Sequence, residues 1–129
     1  MKFDCKQITI NSEELGCTVS FYDRKQNGEA QVDMTVDEII KSIGEYVILQ
    51  RTYPEDDFET DYYYIETSNL DIAGELKNFK IKLSRTKFAM TYSNKKIEIA
   101  IKPIDKKFNA LKEALRIIAN KQGELIIEE

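Results

Sequence analysis

The clearest order in the chain is a strict alternation of apolar and polar residues between Leu76 and Lys102. Phe79, Ile81 and Leu83 form one set, Phe88, Met90 and Tyr92 a second, and Ile97, Ile99 and Ile101 a third. A period of two puts each set on one face of a β-strand. A two-residue turn at Arg85-Thr86 opposes Leu83 to Phe88, Ile81 to Met90 and Phe79 to Tyr92, while one at Ser93-Asn94 opposes Met90 to Ile97 and Phe88 to Ile99. Both turns gather the large apolar residues on the same face, and a slip of one residue would scatter them. The pattern predicts a three-stranded antiparallel meander.

Beyond Pro103 the period lengthens. Phe108, Leu111, Ala114, Leu115 and Ile118 recur at helical spacing, with Lys106, Lys107, Lys112, Glu113 and Arg116 on the other sides. This predicts a long amphipathic helix lying across the apolar face of the meander, with Asp105 as N-cap and Gly123 as the stop, and a short strand at 124–127. Upstream, 45–51 and 61–67 are rich in aromatic and β-branched residues and read as two further strands joined by an acidic loop. Thr35 and Glu38 make a capping-box pattern ahead of Val36, Ile39, Ile40 and Ile43, which predicts a short helix near 36–43 closed by Gly44. At the N-terminus, 2–10 and 17–22 read as a strand pair around a turn at 11–16. The fold class is therefore α+β: a mostly antiparallel sheet with one long C-terminal helix packed on it, in a single domain spanning 1–129.

Composition changes this picture little, except in charge. The 129 residues, 42% of them hydrophobic, suffice for a core without disulfides or metals. Opposing Ile10 to Cys17 would set Cys5 and Cys17 on the order of 17 Å apart, too far for a disulfide. Free thiols fit a reducing compartment, no apolar run is long enough to span a membrane, and charges interrupt the first residues, so a cytoplasmic location is expected. The net charge of −4 is unevenly spread: −3 over 1–51, −8 over 52–76, +10 over 77–121 and −3 over 122–129. An acidic middle precedes a basic final third.

Candidate chemistry is sparse. With no histidine, neither the commonest general base nor the Ser-His and Cys-His nucleophilic arrangements can be built. The five glycines are scattered, so there is no phosphate loop, and two separated cysteines make a poor zinc site. The acidic segment lacks the spacing and the glycine of a calcium loop. No enzymatic activity, cofactor or metal is expected. The same segment suits protein binding better, because Tyr53, Phe58 and Tyr62-Tyr63-Tyr64 bring aromatic area into a negative field. Glu55, Asp56, Asp57, Phe58, Glu59 and Asp61 are the candidate partner contacts. Alternation along the strand sends at least one of the three tyrosines into the core. Nucleic-acid binding through Lys80, Lys82, Lys87 and Lys96 is disfavoured, since no aromatic interleaves with those lysines on their face of the meander.

Between Glu45 and Ile118 the chain resembles the immunity protein 10 family of bacterial polymorphic toxin systems. The resemblance rests on Tyr46-Val47-Ile48-Leu49-Gln50-Arg51, then an acidic stretch leading into Asp61-Tyr62-Tyr63-Tyr64-Ile65-Glu66, then Leu83-Ser84-Arg85 before an alternating strand, and Phe108-Asn109-Ala110-Leu111-Lys112-Glu113-Ala114-Leu115 on the closing helix. At Asp71-Ile72-Ala73-Gly74 the chain departs from a glycine-rich turn common in the family. The resemblance implies a cytoplasmic antitoxin that binds a cognate toxin domain and blocks it without catalysis. The acidic contacts would suit a basic target such as a nuclease. A regulatory or scaffold domain with another protein partner is the alternative, and open sheet edges leave a homodimer physically accessible.

Overall fold

The structure is a computed structural model and describes residues 1–25, 35, 44–56 and 58–128. The helix expected near 36–43 lies outside the described residues. In chain order the elements are β1 (Lys2–Asp4), β2 (Gln7–Glu13), β3 (Gly16–Tyr22), β4 (Tyr46–Thr52), β5 (Tyr62–Thr67), β6 (Gly74–Glu75), β7 (Phe79–Leu83), β8 (Lys87–Tyr92), β9 (Lys95–Ala100), α1 (Asp105–Ile118) and β10 (Gly123–Ile127). The α+β class holds, but the strands divide into two five-stranded sheets. The first runs β1-β9-β8-β7-β10 and the second β2-β3-β4-β5-β6.

The meander forms in the expected register, with Leu83 opposite Phe88, Ile81 opposite Met90, Met90 opposite Ile97 and Phe88 opposite Ile99. Ser93 and Asn94 both take positive φ, 49° and 65°, the geometry of a hairpin turn whose twist matches that of its strands. Two parallel neighbours, β1 beside β9 and β10 beside β7, complete this first sheet.

The N-terminal strand pair differs from expectation in two ways. The segment 2–10 is not one strand: the Cys5 amide bonds to Ala100 O at 2.8 Å in the first sheet, and the next amide, Lys6, bonds to Tyr22 O at 2.8 Å in the second. The chain changes sheets between these two residues. The turn is also shorter, at Glu14-Leu15, so that Ser12 and not Ile10 faces Cys17. This register sets Ile8 against Phe21 and Ile10 against Val19, where the expected one would have opposed Phe21 to Lys6. Both cysteines are free.

Helix α1 buries Phe108, Leu111, Ala114, Leu115 and Ile118. Its main contacts are with β2, β3 and β4 and with β10, so it packs against the second sheet and not, as expected, across the face of the meander. The meander also meets the second sheet directly, where the rings of Phe21 and Phe88, both fully buried, lie 4.6 Å apart. The two sheets and the helix thus share one core. Two helix-end expectations are corrected. Asp105 is the first helical residue and not the cap; Ile104 caps without a side-chain bond, and Asp105 instead pairs with Arg85. The helix stops before Gly123, with Ala119 as its C-cap. Gly123 opens β10, where a Cβ would sit 2.3 Å from the Phe79 ring.

Candidate functional site

The acidic loop crosses from β4 to β5 at one end of the second sheet, its stem closed by Thr52 opposite Tyr62. Within it, carboxylates satisfy the backbone. Asp56 Oδ1 accepts from the amides of Phe58 and Glu59 at 2.9 and 3.1 Å, and Glu59 Oε2 accepts from the amide of Glu55 at 3.2 Å. Such local bonds favour a turn over continued strand. They leave the charges of Glu55, Asp56 and Glu59 exposed, and no ion pair to them forms among the described residues. Phe58 is 97% exposed. Asp57 lies outside the described residues.

Asp61, grouped with these carboxylates by sequence, has a different place. It turns inward onto Arg51, whose Nε donates to Asp61 Oδ2 at 2.7 Å and whose Nη2 makes a second bond to the same oxygen. Both side chains are largely buried, at 13% and 14% exposure. The third guanidinium nitrogen, Nη1, donates to Ile117 O at 2.7 Å near the C-terminus of α1, where the helix dipole favours a cation. The guanidinium carbon also lies 5.1 Å from the Tyr53 ring and 5.7 Å from the Tyr63 ring. Arg51 therefore ties both stems of the loop to the helix. Sequence reading singled out neither this residue nor its pairing: alternation with Val47 and Leu49 sets Arg51 on the inward face, but nothing local names Asp61 and Ile117 O as its partners. Tyr63 is the core member of the tyrosine run, and its hydroxyl is buried with no hydrogen-bond partner among the described residues. Burial raises its pKa, against a smaller opposing pull from Arg51.

A second element reaches the same end. Gly16 pairs with Thr52, and the amide of Tyr53 donates to Leu15 O at 2.9 Å, which holds the β2–β3 turn beside the acidic loop. The approach is close enough that a Cβ on Gly16 would meet Arg51 O at 2.3 Å. The turn presents Glu13, Glu14 and Leu15 to solvent. Leu15 at 65%, Phe58 at 97% and Tyr62 at 46% are thus three exposed large apolar side chains at one end of one sheet. Between 52 and 76 there is no lysine or arginine. The sequence marked the loop by its charge but gave no reason to join 13–15 to it, since that junction depends on the β3–β4 register.

The outward face of the second sheet continues from this end. An open depression of 430 Å³ is lined by Asn11, Glu13, Leu15, Gly16, Thr18, Gln50 and Thr52. Next to it on β5, the rings of Tyr62 and Tyr64 stack 6.4 Å apart, and Glu66 accepts bonds from the hydroxyls of Tyr46 at 3.1 Å and Tyr64 at 3.3 Å. Burial, then the bond to Glu66 and its charge, raise the pKa of Tyr46.

The outward face of the first sheet carries the basic residues and handles them otherwise. Glu98 lies 3.0 Å from Lys96 and 3.5 Å from Lys87, and Glu124 is 4.0 Å from Lys80. Lys96 by its hydrogen bond and Lys87 by its charge hold Glu98 below the usual carboxylate range. Among the described residues no group of three histidine, cysteine or carboxylate side chains is arranged to hold a metal ion, and no helix is long and apolar enough to cross a membrane.

In comparison with known proteins, no family model, no curated protein and no solved structure matches the chain.

Proposed function

We propose that this chain is a non-catalytic binding protein, an immunity protein that occludes a basic bacterial toxin domain in the cytoplasm through the acidic end of its second sheet. One observation carries the proposal: Glu55, Asp56 and Glu59 are exposed, lack cationic partners among the described residues, and surround a phenylalanine left 97% exposed. Charge of this kind raises association rates by steering, and an exposed aromatic supplies contact area that a purely solvated loop has no need of. The sequence resemblance to the immunity protein 10 family supports a toxin domain as the partner, and the exposed carboxylates support a basic one. Asp61 belongs to the framework beneath the surface, through Arg51, and is not a contact in this reading.

The direct test is growth of cells that express a candidate toxin domain, with and without this chain. The expected result is rescue together with a stable one-to-one complex. In that complex Glu55→Gln, Asp56→Asn and Glu59→Gln combined should slow association by about tenfold or more at low salt and flatten its salt dependence. An unchanged on-rate would place the interface elsewhere. Failure to rescue across basic toxin domains of several activities would favour a regulatory or scaffold domain with a different protein partner.

A further inference from the structure

We infer that the binding surface is composite: the β2–β3 turn forms its second half, and Leu15, Phe58 and Tyr62 together enter an apolar cleft rimmed by arginine or lysine side chains on a protein partner. This deepens the preceding proposal and rests on it for the identity of the partner, though not for the surface itself. Three of the five exposed large hydrophobic residues of the described chain, Leu15, Phe58 and Tyr62, fall at this one end; the other two, Leu70 and Ile104, lie in the β5–β6 loop and just ahead of α1. Scattered exposed apolar residues need no explanation, but their convergence marks an interaction site.

The convergence is built into the backbone. Leu15 is held by its carbonyl bond to Tyr53, Gly16 lies opposite Thr52, and Thr52 lies opposite Tyr62. Turn, loop and strand are thus consecutive neighbours across three paired strands, a span of roughly 10 Å. Phe58 stands in the loop between them, fixed by the bonds that Asp56 makes to its own amide and to the next. A preformed turn loses little entropy on binding, which is what a contact residue at a loop tip requires.

Charge complementarity selects the occupant. Glu13 and Glu14 precede Leu15, Glu55 and Asp56 precede Phe58 and Glu59 follows it, and neither 13–16 nor 52–62 contains a lysine or arginine. Exposed apolar side chains set among carboxylates fit the reverse arrangement, an apolar cleft rimmed by cations. The adjoining depression of 430 Å³ supplies polar groups from Asn11, Thr18 and Gln50 for the partner's rim.

The probe is a library of random-sequence peptides displayed on phage and selected on the full chain. The expected outcome is enrichment of peptides that combine arginine or lysine with apolar residues. Leu15→Ala and Phe58→Ala should each weaken their binding by at least about tenfold, as truncation of a central contact does. Leu70→Ala and Ile104→Ala, equally exposed elsewhere, should leave it unchanged. None of these four side chains is in the core, so unchanged thermal melts will show that losses are local. Enriched peptides indifferent to Leu15 and Phe58, or no enrichment at all, would overturn the inference. A concentration-dependent dimer abolished by Phe58→Ala would also overturn it, by assigning the surface to a second copy. Because selection does not depend on toxin rescue, a chain that fails to protect cells and yet selects such peptides would sink the immunity reading alone.

Discussion

The outward face of the first sheet and the acidic end of the second are both dense in charge, yet they differ in what those charges meet. On the first sheet, Lys87 and Lys96 converge on Glu98 and Lys80 approaches Glu124. At the acidic end, the carboxylates of Asp56 and Glu59 bond to loop backbone, no ion pair to Glu55, Asp56 or Glu59 forms among the described residues, and the Arg51–Asp61 pair lies beneath the surface. The first face offsets part of its positive charge by pairing, with Glu98 and Glu124 meeting three of its lysines. The second confines compensation to its foundation and leaves its tip negative. A count of charges along the sequence does not distinguish these cases; the field offered to a partner comes from the charges left uncompensated.

The largest effect is expected at Arg51. Replacing Arg51 with Ala strands a largely buried Asp61 and removes a bond to the helix, so stability in urea unfolding should fall by about 3–5 kcal/mol. Arg51→Lys should recover only part of it, because an ammonium group lacks the fork that reaches Asp61 and Ile117 O together. Next, Gly16→Ala forces a Cβ against Arg51 O. It should cost about 1–3 kcal/mol by the same measurement, since backbone cannot move aside as a flexible side chain would.

Tyr63→Phe sharpens the contrast from below. It deletes a buried hydroxyl that has no partner among the described residues, so stability near neutral pH should hold or rise by about 1 kcal/mol. The sign at high pH is fixed as well. Burial raises the pKa of Tyr63 and of Cys17 above their unfolded values, so the unfolded chain gives up these protons first. The stability they contribute is whole below about pH 9 and falls as pH rises through the cysteine and tyrosine ranges. Tyr63→Phe should make that alkaline decline shallower in melts recorded across it.

The smallest effects separate the two surfaces themselves. Glu98→Gln should lower the melting temperature slightly at neutral pH. Because Glu98 is held below its unfolded value, the difference from the parent should vanish as pH falls through the acid range. Neutralising Glu55, Asp56 and Glu59 together should leave stability within about 0.5 kcal/mol, or raise it by relieving repulsion. A large loss in that triple variant would mean that the loop carboxylates hold the fold and are not reserved for a partner.

Residue alternation alone determined the meander, its register and both its turns, because neighbouring strands joined by two-residue turns leave one pairing that buries every large side chain. The amphipathic helix was legible from its helical spacing, the strands around the acidic loop from their aromatic and β-branched residues, and the exposure of Phe58 from the carboxylates around it in sequence. One further signal was present: the apolar phase slips between Phe3-Cys5 and Ile8-Ile10, and it is there that the chain leaves one sheet for the other. What lay out of reach was everything set by contacts distant in sequence. The division into two sheets, the parallel neighbours β1 and β10, the inward turn of Asp61 onto Arg51, and the meeting of the β2–β3 turn with the acidic loop depend on which surfaces pack together. Local periodicity fixes the direction in which a side chain points, whereas its partner across the fold is decided by the shared core.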